Sequence, residues 1–316
     1  MANLILLVGV SYNTSKQRCQ RRFASAIALF ILTTLCSNGL IVAETVQKMT
    51  ETSWEQVLIE SVDSSEINWL NTPDEKFMAL YRDDTTGTLQ GGMILLHDMG
   101  THPDWPDVIA PLRQFLPQQG WATLSIQLPV FEKDGQVSNY AGTLASVTAR
   151  IQAAIKHFRD LGNSNIVLLG HGLGAAMGAA FLTSNENSGI AAFVGVSMPI
   201  YQDGEEWMNL LKSIEKLNLP MLDIYGSNDF VSVTHYADKR EQAARRSGLR
   251  VARTKQLTGF NRPATAKGAF SMEGGVIAYR KFQIVGANHS FRGYQHTLSK
   301  RIVGWLKHHA GSVSMQ

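Results

Sequence analysis

Residues 165–180 constrain the fold of this chain more than any other stretch. They begin with the apolar run Ile166 to Leu169, which predicts a short buried strand. Gly170, Gly172 and Gly174 follow at alternate positions, and small residues, mostly alanines, come next. Small residues of this kind suit a helix that packs closely against a sheet. The stretch therefore predicts a strand, a sharp turn and a helix in direct succession.

The turn at residues 170–174 has the frame G-x-S-x-G, in which a strand-to-helix bend presents a nucleophilic serine. Its central position holds Gly172, which has no side chain for nucleophilic attack. A serine at such a bend has a strained backbone that costs roughly 1–3 kcal/mol, and glycine relieves this strain. We interpret the stretch as a nucleophile turn whose serine is missing. A simple tight turn with no catalytic history is the alternative.

The first 43 residues resemble an export signal. A basic cluster precedes the apolar run 23–35, and residues 41–43 end in Ala43, a plausible cleavage site before Glu44. An uncleaved N-terminal anchor is the alternative, but polar residues 36–39 interrupt the apolar run before it reaches the ~20 residues that span a bilayer. We therefore predict a cleaved signal peptide and a periplasmic or secreted mature protein without a membrane span.

The charge and the cysteines depend on this leader. The full chain of 316 residues has a formal net charge of +3. Its first 43 residues contain four of the 29 basic residues and no acid, so 25 basic residues face 26 acidic ones in the remainder. This balance gives no reason to expect nucleic acid or an anionic membrane as a partner. Cys19 and Cys36 both lie in the leader, so no disulfide framework is expected in the mature chain.

Strand and helix patterns alternate from residue 91 onward. This alternation predicts a mostly parallel sheet with helices on both faces, in a single α/β domain over residues 44–316. A possible cap is predicted at 131–145 and an insertion at 252–275. The predicted strands are 54–62, 76–82, 91–97, 121–128, 165–171, 191–197, 220–226 and 279–285. The predicted helices are 105–118, 147–161, 173–180, 206–217, 236–247 and 293–309.

Chemically useful side chains follow several of these strands. Ligands of open α/β sheets bind beyond the carboxyl ends of the strands. Residues 97–100, 171–173, 227–229 and 286–289 reach that edge here. Asp229 and then His289 follow the turn in the chain order nucleophile, acid, histidine.

With this order the sequence resembles the α/β-hydrolase superfamily over about residues 54–310. The runs 102–106 (HPDWP), 120–125 (GWATLS) and 286–289 (GANH) further resemble an uncharacterised family of exported proteobacterial hydrolase-like proteins. The resemblance implies an α/β-hydrolase fold, with Asp229 as the triad acid, His289 as the base and Gly172 at the vacant nucleophile position. It also implies an oxyanion loop made of the following residues, in which Asp98 stands where glycine is common: His97, Asp98, Met99, Gly100 and Leu173.

Each of these positions also has a simpler interpretation. Asp229 and His289 could form a structural hydrogen-bonded pair, because there is no serine for them to activate. His171 is expected to pack behind the turn. His97, His171, His289 and Asp229 would share one sheet edge, but their spacing matches no known metal site. We therefore predict no metal and no cofactor.

Three functional hypotheses remain open. The first is an exported, non-hydrolytic or weakly active protein that binds a small acyl or apolar ligand. The second is a carboxylic-ester hydrolase with a non-standard nucleophile or a water-based mechanism. The third is a cell-envelope interaction protein that uses the cap and the insertion as contact surfaces. The sequence determines neither the substrate nor the oligomeric state.

Overall fold

The computed structural model describes residues 50–131, 136–202, 204–247, 250–251 and 278–310. All of them belong to one compact unit, Gln47–Gln316. The predicted leader (1–43) and insertion (252–275) lie outside the described residues. None of the helices in the described ranges combines the length and hydropathy needed to cross a bilayer.

The described residues form a nine-stranded sheet in the order β1-β2-β4-β3-β5-β6-β7-β9-β8. The pairs β1/β2 and β2/β4 are antiparallel, and all other neighbouring pairs are parallel. This topology confirms the predicted α/β fold with a mostly parallel sheet. The strands are β1 Ile67–Asn71, β2 Lys76–Arg82, β3 Gly91–Leu96, β4 Trp121–Ile126, β5 Ile166–His171, β6 Ile190–Val196, β7 Met221–Gly226, β8 Arg250–Val251 and β9 Ala278–Ile284.

Helices cover both faces of this sheet. Alternate residues of β3 and β5 belong to two separate hydrophobic clusters, as the period of two in a strand requires. Ile94 and Leu168 pack with residues of the helices α3 (Leu144–Asp160) and α4 (Leu173–Ser184). Leu95 and Leu169 pack with residues of the helices α2 (Ile109–Phe115) and α8 (Gln295–His309). The helices are α1 at residues 50–61, α2 Ile109–Phe115, α3 Leu144–Asp160, α4 Leu173–Ser184, α5 Leu210–Lys216, α6 Val231–Thr234, α7 Ala237–Arg246 and α8 Gln295–His309.

The strand predicted at residues 54–62 is wrong, because this segment lies largely within helix α1. Leu58 is buried and Val62, one helical turn later, packs on the same small cluster. The intervening Val57 and Ile59 are 47% and 54% exposed. A spacing of four between inward residues is helical, although the run of adjacent apolar residues resembled a strand. The strand at the outer edge beside β2 is instead β1, which the sequence analysis did not predict.

The predicted cap at 131–145 is only partly described. Residues Val137–Thr143 form a 3-10 helix, and the side chain of Tyr140 is buried. The Tyr140 hydroxyl accepts hydrogen bonds from the backbone N–H groups of Gly100, at 3.1 Å, and Phe131, at 3.2 Å. The described part of this segment is therefore fastened to the loop that follows β3.

Candidate functional site

The turn around Gly172 has the geometry expected between a strand and a helix. Strand β5 ends at His171 and α4 begins at Leu173. Gly172 lies between them with φ 54° and ψ −120°, a region that other residues occupy only under strain. A Cβ at Gly170 or Gly174 would overlap backbone atoms of Ala175 or His97. The flanking glycines therefore allow strand, turn and helix to approach closely.

The carboxylate of Asp98 occupies the space in front of Gly172. A Cβ built on Gly172 would overlap Oδ1, Cγ and Oδ2 of Asp98. Asp98 Oδ1 accepts hydrogen bonds from the backbone N–H groups of Met99 and Leu173, both at 2.7 Å. In this fold the oxyanion donors are the N–H after the nucleophile and an N–H of the loop after β3. The Leu173 and Met99 N–H groups, which stand at these two positions of the chain, both bind a carboxylate of the protein itself.

His289 lies between two carboxylates. Its Nε2 is 2.8 Å from Asp98 Oδ2, and its Nδ1 is 2.8 Å from Asp229 Oδ1. Burial disfavours the charged imidazole, but the hydrogen bonds to Asp229 and Asp98 and their negative charges outweigh it and raise the pKa of His289 to about 9. At neutral pH both ring nitrogens therefore donate, and neither has a lone pair with which to act as a base.

The two carboxylates are stabilised in their ionised forms. Burial alone would raise the pKa of Asp98, but the hydrogen bond from His289, the nearby His171 and His289 rings and the Leu173 N–H lower it to about 2. The pKa of Asp229 is also lowered, because the bonds from His289 and Ser197 outweigh the effect of burial. We call the Asp98–His289–Asp229 chain the carboxylate–imidazolium relay.

Ser197 supports the Asp229 end of this relay. It follows β6 directly, is fully buried and has a φ of 49°. Its Oγ donates a hydrogen bond to Asp229 Oδ2. The sequence analysis missed this contact. Ser197 lies at the carboxyl end of β6, beside β7, and β7 is the strand that precedes Asp229. This position was the available signal in the sequence.

The other two histidines of the predicted site have different environments. His171 Nε2 donates to the carbonyl of His289 at 3.1 Å, and burial lowers the pKa of His171 to about 4. His97 Nδ1 donates to the Asp98 carbonyl at 2.9 Å, and its Nε2 accepts from the Leu128 N–H at 3.0 Å. Burial lowers the pKa of His97 to about 3. His97 therefore stays neutral, and its hydrogen bonds stabilise the backbone of the loop that carries Asp98.

The relay is enclosed on several sides. The ring of Phe230 stacks on His289 at 4.3 Å between centroids, and the ring of His171 lies 4.7 Å from His289. As lined by the described residues, the space beside Asp98 among Met99, Tyr140 and their neighbours is too small for a water molecule. The side chains of Asp98 and His289 nevertheless remain 16% exposed. Solvent therefore reaches the relay from the edge of the sheet.

The chain matches a known protein family over most of its length. The model of the family described as "Protein of unknown function (DUF3530)" matches residues 41–146 and 132–269. The chain belongs to the DUF3530 family. The sequence matches no functionally curated protein.

Solved structures place this DUF3530 protein among α/β-hydrolases by fold. An esterase of Pyrococcus furiosus shares 16% identity at a TM-score of 0.57, over 78% of this chain and 91% of that one. An alpha-beta serine hydrolase homologue of Coxiella burnetii shares 14% at 0.53, over 78% and 99%. A dienelactone hydrolase of Anabaena variabilis shares 14% at 0.55, over 77% and 97%. At identities this low, the structural similarity establishes the α/β-hydrolase fold and does not establish the activity.

Proposed function

We propose that this DUF3530 protein is an exported α/β-hydrolase-fold protein that binds a small acyl or apolar ligand and does not hydrolyse it by serine acyl transfer. One observation carries the proposal: the Asp98 carboxylate occupies the nucleophile space and both oxyanion donors. Serine acyl transfer needs a nucleophile, a base with a lone pair and free oxyanion donors. Gly172 lacks the first, the protonated His289 lacks the second, and Asp98 occupies the third.

Apolar surface beside the relay supports the choice of ligand. Phe230, which stacks on His289, is 59% exposed, and the adjacent Val231 is 76% exposed. Exposed aromatic and aliphatic groups next to a charged centre suit a ligand with an apolar part and a polar end. Among the described residues, no comparable observation favours the third hypothesis, an envelope interaction protein, and the insertion at 252–275 lies outside them.

A fluorophosphonate probe tests the absence of serine chemistry. We expect no labelling of the wild-type protein and no turnover of a panel of short acyl esters. Gly172→Ser alone should also stay unlabelled, because its Cβ overlaps the Asp98 carboxylate. The double variant Asp98→Gly/Gly172→Ser removes the overlap and frees both donors, so it should be labelled at position 172.

A matched control introduces serine elsewhere. Gly142→Ser lies at an exposed position with open space around its Cβ and should not be labelled. Labelling of the wild-type protein at Ser197 or any other serine near the relay would refute the proposal. A fatty-acid or acyl-ester titration monitored by calorimetry then tests binding, and no saturable binding to the wild-type protein would refute the ligand-binding part.

Export is a separate part of the proposal. The leader predicts that protein recovered from the cell envelope begins near Glu44. N-terminal sequencing of protein expressed from the full coding sequence tests this directly. An intact N-terminus in the membrane fraction would support the anchor alternative, and an intact N-terminus in the cytoplasm would refute export.

The same geometry also favours a second candidate, an enzyme in which Asp98 is the nucleophile. Aspartate carboxylates form covalent intermediates in several enzyme classes. Asp98 Oδ1 already takes the oxyanion donors, so attack on a carbonyl would lack stabilisation of the new oxyanion. Attack by Oδ2 on a saturated carbon needs no such donors: an O–C bond forms and the leaving group departs with the electron pair. The hydrogen bond from His289 to Oδ2 weakens this nucleophile, which makes the candidate second.

Mass spectrometry separates the two candidates. Incubation with an epoxide or alkyl halide should add one alkyl group to Asp98, or give slow turnover that Asp98→Asn abolishes. An unmodified protein without turnover would refute the enzyme and would leave the binding proposal standing.

A further inference from the structure

Two imidazoles and one carboxylate meet at the carboxyl edge of the sheet. Asp98, His171 and His289 each offer one atom that could ligate a metal, and these three atoms lie within 4.8 Å of one another. The three residues come from the loop after β3, the end of β5 and the loop after β9, so only the folded chain brings them together. Zn²⁺ binds imidazole nitrogen and carboxylate oxygen, and sites with three protein ligands keep a fourth position open.

His171 contributes a lone pair that the fold does not use. Its Nε2 faces the carbonyl of His289 at 3.1 Å, and a carbonyl can only accept, so Nε2 carries the proton. The lone pair is then on Nδ1, which is buried and has no hydrogen-bond partner among the described residues. His171 is only 3% exposed. A buried acceptor without a partner costs free energy, and a bound cation would remove that cost.

Each of the three residues is also oriented by a partner at its other polar atom. His289 donates Nδ1–H to Asp229, which Ser197 holds in turn. Asp98 Oδ1 accepts the two backbone N–H groups described above. Histidine ligands of metals almost always donate their second ring N–H to a carboxylate or a carbonyl. His289 and His171 both have this arrangement.

We propose that Asp98 Oδ2, His171 Nδ1 and His289 Nε2 bind a divalent transition-metal cation, with Zn²⁺ as the best match to two nitrogens and one oxygen. On binding, His289 Nε2 releases its proton to solvent, and the cation takes the place of the hydrogen bond between Asp98 and His289. The ligand atoms all lie within 4.8 Å of one another, and Asp98 Oδ2 is 2.8 Å from His289 Nε2. Ligands of a tetrahedral zinc are ~3.3 Å apart, so the side chains shift by up to about 1 Å on binding.

This set of ligands differs from the four side chains that the sequence predicts at one sheet edge. Both nitrogens of His97 are engaged by the Asp98 carbonyl and the Leu128 N–H. Asp229 lies behind His289 as the partner of Nδ1. Asp98 takes its place as the carboxylate. Metal binding at this site is independent of whether the protein hydrolyses any ester.

Metal titration of the full chain tests the site. The protein is prepared without an oligohistidine tag, stripped with EDTA, and titrated with Zn²⁺ by calorimetry and with Co²⁺ by visible absorption. We expect one equivalent of each metal to bind. Asp98→Asn and His171→Gln should each weaken binding at least about ten-fold, as loss of a ligand or its partner does in known sites. The control His235→Gln changes an exposed histidine outside the cluster and should leave the affinity unchanged.

Several results would overturn the site. They are no stoichiometric binding, binding that survives both substitutions, and a thiolate-to-cobalt band, which would place the ion on Cys19 or Cys36. Circular dichroism shows whether the variants are folded. If they are not, X-ray absorption of the wild-type zinc complex decides: a light-atom shell with imidazole scattering supports the site, and any other shell refutes it. Fluorophosphonate labelling would refute the proposed function without affecting this titration.

Discussion

Gly172 and Asp98 depend on each other at the scale of single residues. Gly172 has a backbone conformation that disfavours a side chain, and its missing Cβ leaves room for the Asp98 carboxylate. Asp98 in turn binds the Met99 and Leu173 N–H groups and His289. The missing side chain at position 172 and the placement of the Asp98 carboxylate therefore depend on each other.

Substitution of Gly172 should reveal this dependence. We expect Gly172→Ala to lower the free energy of unfolding by about 2–4 kcal/mol, from backbone strain and overlap with Asp98. In an Asp98→Gly background the same change should cost at least about 1 kcal/mol less, since the overlap is absent. Urea denaturation of the four proteins in this cycle measures the coupling.

The control for this cycle is Gly142→Ala, at an exposed position with open space and an ordinary φ. It should change stability by less than about 0.5 kcal/mol. Equal costs of Gly172→Ala in both backgrounds would show that Asp98 does not occupy the turn.

At the scale of elements, helix α7 anchors the loops that support the Asp229 end of the carboxylate–imidazolium relay. Arg240 forms a bidentate pair with Asp223 of β7, and neither side chain is exposed. Its Nη1 also donates to the carbonyls of Met198, next to Ser197, at 3.1 Å and Val233 at 2.8 Å. This one guanidinium therefore connects the segments that follow Ser197 and Asp229.

Loss of this guanidinium should be costly. We expect Arg240→Met to lower the free energy of unfolding by about 3–5 kcal/mol, because it removes the positively charged partner of the buried Asp223 carboxylate. Chemical denaturation followed by circular dichroism measures the change. The matched variant Arg245→Met removes a 56% exposed arginine of the same helix, paired with Glu241, and should cost less than about 1 kcal/mol. Similar costs for the two variants would contradict this account.

At the scale of the whole molecule, folding buries His97, His102 and His171 in their neutral forms. His102 packs against Trp54 of α1 and against Trp105, at 4.7 Å and 5.2 Å between ring centroids. Burial lowers the pKa of His102 to about 4. An unfolded histidine has a pKa near 6.5, so between these values the unfolded chain binds a proton that the folded chain does not. The contribution to stability is therefore complete above about pH 6.5 and is lost as the pH falls toward 4.

The pH dependence of unfolding tests this assignment. We expect the wild-type protein to lose stability from pH 7 to pH 4.5, and His102→Asn to lose about 1–2 kcal/mol less over the same interval. Asparagine keeps an acceptor for the Asp104 N–H, which His102 Nδ1 binds at 3.2 Å. His308→Asn, at an exposed histidine, should leave the slope unchanged. An identical slope in all three proteins would contradict the burial of a neutral His102.

Local patterns in the sequence were sufficient for the parts of the fold that depend on neighbours along the chain. The glycine spacing at 170–174 predicted the turn between β5 and α4, and alternation of elements predicted the mostly parallel sheet. The carboxyl ends of parallel strands share one edge, which is why Asp229 and His289 could be expected together. The strand prediction for residues 54–62 failed because adjacent apolar residues fit both a strand and a helix until it is known which of them are buried.

Only the tertiary structure decided what the site contains. The sequence placed Asp98 in the loop after β3, but its carboxylate enters the space at Gly172 because two backbone N–H groups and His289 converge there from three elements. The charge of His289 likewise depends on two carboxylates that lie 191 and 60 positions away along the chain. Electrostatic effects follow distance in space, which the order of residues does not contain.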